Sequence, residues 1–313
     1  MHKVRTDETR RVIATQNERP TRARGGLGGP PPENTAATTT RQCAVLGSPV
    51  EHSLSPALHR AAYAWLGIDW VYQRHQVEAH ELADFVAGLD DRWRGLSCTM
   101  PLKEAVVPLG VPDEIVTALG VGNTLIFDGH PADPTTTLVR NTDVPGLESA
   151  LRAAGVEHAE TALLVGNGAT ARSSVCGVAR LGVTTIYVLA RDPAKTEVLA
   201  RLGEQYGVTL EHLGWDGDVP TVDLALSSAP AQAVAAVADR VAEASPVVFD
   251  AIYDPWPTAL AAAAERRGRN VVNGLDLLAH QAVGQVALMT GLDVPAEVML
   301  TAGRQALSRR ARA

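Results

Sequence analysis

Aromatic residues make up only 4% of this 313-residue chain, although 46% of its residues are hydrophobic. Its cores must therefore be built from Ala, Val and Leu, which is typical of α/β proteins with closely packed helices. No apolar run approaches the roughly 20 residues of a membrane-spanning helix, so we expect no membrane partner. The formal net charge of −7 argues against nucleic acid as a partner.

Cysteine is also scarce. The chain has Cys43, Cys98 and Cys176, whose spacing fits neither a disulfide pair nor a zinc site, so we expect a cytoplasmic protein without bound metal. His75 and His80 fall on a predicted strand and at a helix start, with no third ligand beside them. We interpret both as satisfied or exposed side chains rather than metal ligands.

Residues 1–41 lack hydrophobic periodicity and contain a Gly- and Pro-rich run over residues 25–32. Such a segment cannot bury enough apolar surface to order itself, and it predicts a disordered N-terminal tail. It has no apolar core of a secretory signal, and its acidic residues argue against a transit peptide. An over-extended start of the reading frame is the other interpretation.

A glycine-rich loop in the middle of the chain is the strongest single pattern. The apolar run 162–165 leads into it, and Val175 and Val178 follow at helical spacing. The loop consists of Gly166, Asn167, Gly168, Ala169, Thr170, Ala171 and Arg172. A strand, a tight turn and a helix start in this order can hold a dinucleotide pyrophosphate on backbone N–H groups. The same loop also occurs in sheets that bind nothing, so its surroundings must decide.

The next predicted strand, over residues 183–189, ends about 20 residues past the loop, where the cofactor ribose is usually recognised. NAD sites usually have an acid there, but this chain has Ala190, then Arg191, with Lys195 one turn later. Cations suit a 2′-phosphate, so the sequence favours NADP. NAD remains an alternative cofactor because Asp192 could accept a hydrogen bond from a ribose hydroxyl. Arg191 and Lys195 could also simply be solvated charges at the start of a helix.

Alternating strands and helices before the glycine loop predict a second α/β sheet. We expect strands over 44–47, 70–77 and 94–99, a hairpin of 121–127 with 137–140, and helices ending at 66 and spanning 80–89, 102–109 and 145–153. Polar residues follow the strand ends at Ser53, Ser55, Thr99, Lys103, Asn123, Asn141, Thr142 and Asp143. Each alone could be a cap or a surface charge, with Ser55 capping the first helix. Their convergence beside a nucleotide domain favours a ligand site.

Seven segments of the chain carry a recognisable pattern: Gly47-x-Pro49-x-x-x-Ser53-x-Ser55-Pro56-x-x-His59, Thr99-x-Pro101-x-Lys103-Glu104, Gly122-Asn123-Thr124, Asn141-Thr142-Asp143, the loop 166–172, Asp250-Ala251-Ile252-Tyr253 and Gly274-Leu275-x-x-Leu278-x-x-Gln281-Ala282. In their order and spacing these segments resemble the shikimate dehydrogenase family. The resemblance covers nearly all of residues 42–300, and residues 250–257 look like the actinobacterial branch of the family.

The resemblance implies an α/β fold of two domains. An N-terminal α/β substrate domain (residues 42–143) would be completed by C-terminal helices (275–305), and a Rossmann-type doubly wound NADP-binding domain would span 144–274. It implies an enzyme that reversibly reduces 3-dehydroshikimate to shikimate with NADPH, on the route to chorismate and aromatic amino acids. We expect a monomer or a homodimer.

The resemblance also implies roles for individual residues. Lys103 and Asp143 would be the catalytic pair, while Ser53 and Ser55, supported by Tyr253, would hold the substrate carboxylate. The ring hydroxyls would be bound by Thr99, Asn123, Asp143 and Gln281. NADP(H) would be bound by Gly166, Asn167, Gly168, Ala169, Thr170, Ala171, Arg172, Arg191 and Gly274. Ketone reduction puts negative charge on oxygen, and an ammonium supplies both a proton and a compensating charge.

Three segments depart from the family pattern. Ser97-Cys98 replaces Asn-Val, residues 190–192 replace Asn-Arg-Thr, and residues 226–230 lack Asn-Ala-Thr. Two alternatives therefore stay open: an NAD-dependent quinate/shikimate dehydrogenase of catabolism, which Asp192 would suit, and a non-catalytic sensor of shikimate or NADP. A sensor could lose the proton-transfer lysine at little cost, whereas this chain keeps its Lys–Asp pair.

Overall fold

The computed structural model describes residues 40–312. The disordered tail predicted for residues 1–41 lies outside the described residues, apart from residues 40 and 41. Within the described range, no helix is both long and apolar enough to cross a bilayer.

A mixed six-stranded sheet forms the first part of the described chain. Its strands are β1 (Gln42–Gly47), β2 (Val71–Gln76), β3 (Trp93–Cys98), β4 (Val111–Pro112), β5 (Thr124–Phe127) and β6 (Thr137–Arg140), in the spatial order β2-β1-β3-β5-β6-β4. β1 pairs parallel with β2 and β3, whereas β5 runs antiparallel to β3 and β6. The helices of this part are α1 (Ser55–Leu66), α2 (Leu82–Ala87), α3 (Leu102–Ala105), a 3₁₀ turn (Val107–Leu109) and α4 (Glu114–Leu119).

The second sheet is entirely parallel. Its strands are β7 (Thr161–Val165), β8 (Thr185–Leu189), β9 (Thr209–Leu213), β10 (Leu224–Ser227), β11 (Val247–Asp250) and β12 (Asn270–Asn273), in the order β12-β11-β10-β7-β8-β9. Its helices are α6 (Ala169–Ala179), α7 (Pro193–Gln205), α8 (Ala231–Val234), α9 (Ala238–Ala244) and α10 (Ala259–Arg266), numbered after a helix α5 (Asp143–Ala153) that connects the two sheets. Counted from β9, this is the 3-2-1-4-5-6 order of a doubly wound dinucleotide fold, with its switch point between β7 and β10.

Two C-terminal helices, α11 (Gly274–Thr290) and α12 (Ala296–Arg310), return to the first part of the chain. α11 packs across α5, and α12 packs on α1. A side chain at Gly146 would place its Cβ 2.7 Å from the backbone nitrogen of Gln281, so glycine is needed for this close crossing. The crossing brings Gln281 beside Asp143, which lies at the start of α5.

Small aliphatic residues fill the cores, as the composition predicts. The core between α5, α6 and the parallel sheet is dominated by Ala, Val and Leu, and a second core joins α1, α11 and α12. The few aromatic residues include the largest fully buried side chains, Tyr63, Tyr72, Phe127 and Phe249. Two α/β units, one of them doubly wound, confirm the fold class predicted from the sequence.

Several local predictions are wrong. Ser55 does not cap α1: the N-cap position is Leu54, and the Ser53 hydroxyl instead accepts from the Ser55 backbone N–H at 3.2 Å. The helix predicted over 102–109 ends at Ala105 and continues as the 3₁₀ turn. His80 is exposed, but the Nε2 atom of His75 is buried without a hydrogen-bond partner among the described residues.

Candidate active site

A cleft of about 280 Å³ lies between the ends of β1, β3 and β5 and the helices α5 and α11. Every residue that the sequence assigns to catalysis or substrate binding lines it: Ser53, Ser55, Thr99, Lys103, Asn123, Asp143, Tyr253 and Gln281. Thr170 and Gly274, from the expected cofactor set, line the same cleft. The cleft therefore joins the polar ends of the first sheet to the glycine-rich loop of the second.

Lys103 and Asp143 form an ion pair inside this cleft. The Lys103 Nζ atom lies 2.6 Å from Asp143 Oδ2, and the two side chains are only 16% and 8% exposed. Lys103 follows β3 at the start of α3, and Asp143 begins α5, so two different elements supply the pair. Because the pair is shielded from water, dissolved salt screens its charge interaction only weakly.

Asn123 connects this pair to α11. Its Nδ2 group donates to Asp143 Oδ1 at 3.0 Å and to Gln281 Oε1 at 3.3 Å. Its Oδ1 atom accepts from the Thr142 backbone N–H and from the Thr124 hydroxyl, so the orientation of the amide is set. Because Lys103 holds one oxygen of Asp143 and Asn123 the other, the carboxylate is fixed on both sides.

Asn141 shapes the start of α5. Its Oδ1 atom accepts from the backbone N–H groups of Asp143 and Val144 at 3.0 and 3.2 Å. Its amide group donates to the Val121 carbonyl and to the Ser173 hydroxyl of α6. This one side chain therefore orients the helix end that carries Asp143 and ties it to the second sheet's helix layer.

The other polar wall of the cleft carries Ser53, Ser55 and Tyr253. Ser53 and Ser55 lie at the N-terminus of α1, where the helix adds partial positive charge. Tyr253 lies on a loop shaped by Asp250, which accepts from the Thr258 hydroxyl at 2.6 Å and from the Ile252 N–H at 3.2 Å. Burial raises the pKa of Tyr253, so its hydroxyl stays a neutral donor. These groups can bind an anion.

A buried hydrogen-bond chain behind the cleft was missed from the sequence. The Tyr72 hydroxyl donates to Ser97 at 2.6 Å, Ser97 donates to Gln285 Oε1 at 2.7 Å, and Gln285 Nε2 donates to the Thr124 hydroxyl and to the Asn123 carbonyl. The Ser97 departure from the family pattern was the available signal. The chain fixes the strand end from which Asn123 points into the site.

Cys98 also lines the cleft but has no nucleophilic character. It is buried, and burial raises the pKa of its thiol to about 12. The thiol therefore stays protonated, which excludes it as a thiolate nucleophile at neutral pH. Across residues 40–312, no three His, Cys, Asp or Glu side chains converge at a spacing that could hold a metal ion.

The glycine-rich loop has the geometry that a pyrophosphate requires. Gly166 has φ +120°, and a Cβ there would lie 2.6 Å from the Ser228 hydroxyl, so only glycine fits. Gly168 is the N-cap of α6, and a Cβ at Gly168 would meet open space. The loops after β7 and β10 thus meet at the switch point, and the N-terminus of the 11-residue α6 opens there.

The remaining predicted cofactor residues have different surroundings. Arg191 is exposed after β8, with its guanidinium 5.9 Å from the Trp215 ring centre. Arg172 points to the first part of the chain and pairs with Glu104 at 2.7 Å. Asp192 caps α7 by accepting from the Ala194 N–H at 3.0 Å. One oxygen of the Asp192 carboxylate is therefore used in the helix cap.

Comparison with known proteins matches an N-terminal and a C-terminal part of the chain to two family descriptions. Residues 45–125 match the shikimate dehydrogenase substrate binding domain, and residues 274–302 match the shikimate 5′-dehydrogenase C-terminal domain. Shikimate dehydrogenase (NADP(+)) of Methanocella arvoryzae is 34% identical over 273 residues, which are 84% of this chain and 98% of that protein. The chain belongs to the shikimate dehydrogenase family.

Solved structures of shikimate dehydrogenases share the whole fold. The Mycobacterium tuberculosis enzyme is 40% identical, with a TM-score of 0.78 over 85% of this chain and 99% of that one. The Thermus thermophilus enzyme, solved in complex with NADP(H) and shikimate, is 27% identical, with a TM-score of 0.71 over 85% of this chain and 100% of that one. The family resemblance read from the sequence is confirmed.

Proposed function

We propose that this protein is an NADP-dependent shikimate dehydrogenase, which reversibly reduces the ketone of 3-dehydroshikimate to shikimate in aromatic amino acid biosynthesis. The observation that carries the proposal is the Lys103–Asp143 pair, 2.6 Å apart in a cleft lined by hydroxyl and amide groups. An ammonium in that position donates a proton and neutralises the charge that develops on the ketone oxygen.

The substrate carboxylate binds to the hydroxyls of Ser53, Ser55 and Tyr253. The partial positive charge at the N-terminus of α1 supports this choice, as does the neutral Tyr253 donor. Thr99 and Gln281, together with the residues around the ion pair, offer donors and acceptors to the ring hydroxyls. A small polar acid fits a cleft of about 280 Å³ with this lining.

Lys103 transfers the proton. In the reduction, its Nζ atom gives a proton to the substrate oxygen, and in the reverse direction it takes that proton back. Asp143 holds the ammonium through Oδ2 and has lone pairs left to accept from a ring hydroxyl. Asn123 prevents the carboxylate from rotating by donating to Oδ1 at 3.0 Å. When bound, NADPH supplies the hydride.

The residues at the switch point fit a bound dinucleotide. Its pyrophosphate would lie on the loop 166–172, where the positive φ of Gly166 and the N-terminus of α6 form the cradle. Arg191 would pair with the 2′-phosphate, since it is exposed after β8 while the neighbouring acid is used as a helix cap. Gly274, at the start of α11, also lines the shared cleft.

The test is turnover by the purified protein with shikimate or quinate, each with NADP⁺ or NAD⁺. The reaction is monitored through the absorbance of the nicotinamide. We expect shikimate with NADP⁺ to give the highest kcat/KM. Binding of shikimate and NADP⁺ without turnover would instead support a sensor. Equal use of both nucleotides, or a preference for quinate, would support the catabolic alternative.

We also propose the cytoplasm as the location, since Cys43, Cys98 and Cys176 are free, buried thiols. We propose domain limits at residues 42–143 with 275–305, and at 144–274; the separation into two sheets and the return of α11 and α12 to the first part support this division. The protein would act as a monomer or a homodimer.

A further inference from the structure

The segment that carries the proposed carboxylate site is a short loop, residues 48–54, between β1 and α1; we term it the carboxylate loop. Its last residues, Ser53 and Leu54, lead directly into α1. The loop has few bonds of its own, such as Ser53 N–H to the Val50 carbonyl at 2.9 Å. Glu51 and His52 are exposed, so packing of their side chains does not hold the backbone before Ser53 in place.

Two arginines bind consecutive backbone carbonyls of this loop. Arg74, on the edge strand β2, donates from Nη1 to the Glu51 carbonyl. Arg310, at the end of α12, donates from Nη1 to the His52 carbonyl at 2.9 Å. Both bonds hold the peptide units immediately before Ser53, from two elements that are far apart in the chain.

Arg310 has a second contact, with the loop that carries Tyr253. Its Nη1 atom lies 3.4 Å from Asp254 Oδ2, and its charge is close enough to act on the Tyr253 hydroxyl. One guanidinium therefore contacts both the loop that carries Ser53 and the loop that carries Tyr253. Arg310 lies beyond the residues that match either family description, which end at residue 302.

We propose that Arg310 is a positioning residue that sets the substrate carboxylate subsite from outside the cleft, with Arg74 as its counterpart on β2. It bridges the carboxylate loop and the Tyr253 loop, and it adds a cation beside them. This inference rests on the proposed function, because it assigns a carboxylate to Ser53 and Tyr253. Arg310 does not touch the reacting oxygen, so its effect belongs to substrate binding rather than to proton transfer.

The test compares Arg310→Gln with Arg309→Gln in the full chain, using shikimate and NADP⁺. Arg309 is the adjacent, exposed arginine and serves as the matched control. We expect Arg310→Gln to raise the KM for shikimate about tenfold, the scale of one charge-assisted contact. The kcat and the KM for NADP⁺ should stay within about twofold, and Arg309→Gln should match the wild type. Arg310→Lys, which keeps the cation, should recover part of the affinity.

A neutral substrate, the methyl ester of shikimate, separates positioning from general loosening of the fold. We expect its KM to change little between the wild type and Arg310→Gln, because no carboxylate is present to lose contacts. An equal loss for the ester, a fall in kcat at constant KM, or an unchanged KM for shikimate would overturn the inference. If Arg310→Gln does not fold, Arg74→Gln tests the same loop, with a raised KM for shikimate expected and an unchanged KM overturning the inference. A wild-type protein that does not oxidise shikimate would refute the proposed function itself.

Discussion

Replacing Lys103 with methionine removes the ammonium but keeps most of the apolar stem, and it tests the proposed mechanism most directly. General acid–base catalysis contributes on the order of 10²–10⁴ in rate, which corresponds to about 3–5.5 kcal/mol. We expect kcat for shikimate oxidation to fall by that factor. The affinity for NADP⁺ should survive, because the glycine-rich loop belongs to the second sheet.

Asp143→Asn should also be slow, because the amide no longer fixes the ammonium. If the two side chains acted independently, the losses would multiply to about 10⁴–10⁸ in the double variant. Their atoms are only 2.6 Å apart, so we expect the double variant to lie within about tenfold of Lys103→Met. With a loss of about 10²–10⁴ in each single variant, this corresponds to a coupling energy of about 1.4–5.5 kcal/mol.

Stability must be measured alongside, since Lys103→Met leaves a carboxylate only 8% exposed without its cation. Breaking a fully buried pair costs about 3–5 kcal/mol, and Asn123 still binds Oδ1, so we expect about 2 kcal/mol. Arg152→Met is the control: it breaks the ion pairs with Glu148 and Glu157 near the other end of α5 and should leave kcat unchanged. A Lys103→Met protein with near-normal kcat, or losses that multiply, would refute the reasoning.

Three further outcomes follow from the described geometry. Arg191→Ala should reduce the preference for NADP over NAD by about 1.5–3 kcal/mol in kcat/KM; an unchanged preference would remove Arg191 from the phosphate site. Ser53→Ala and Ser55→Ala should raise the KM for shikimate more than they lower kcat. Because Ser55 does not cap α1, the melting temperature of the Ser55→Ala protein should hardly change. Burial lowers the pKa of His59 from 6.5 to about 4, so the unfolded chain takes up a proton that the folded chain excludes. Stability should therefore fall by up to about 3 kcal/mol between pH 6.5 and 4 in urea titrations, and His59→Leu should abolish that part of the loss.

Local patterns were enough to predict most of the elements. The glycine loop 166–172 was recognisable because the strand, the positive-φ glycine and the helix start are neighbours in the chain. Alternation and helical spacing likewise located β1, α1 and β3 to within one or two residues. The catalytic role proposed for Lys103 came from the family resemblance, because a lysine at a helix start does not by itself indicate catalysis.

Competition between neighbouring groups decided the details that were wrong. Ser55 was expected to cap α1 because Pro56 follows it, but the helix begins at Ser55 itself and the Ser53 hydroxyl takes the backbone N–H. The helix predicted over 102–109 was too long because it included Pro108, which has no backbone N–H to donate and disfavours an α-helix interior; α3 ends at Ala105 and the proline lies in the 3₁₀ turn.

Only the tertiary structure assembled the site. Lys103 and Asp143 are 40 residues apart, and Asn123 and Gln281 are 158 apart, so no periodicity in the chain relates them. Gln281 reaches the other three because α11 returns across α5 at Gly146, where a Cβ would collide with Gln281. The sequence by itself determined which residue types stand at the strand ends, since those depend on local backbone preference. Which of these residues bind the same carboxylate, amide or guanidinium depends on how distant segments pack together. Hydrogen bonds of about 3 Å form only once that packing has brought the groups into contact.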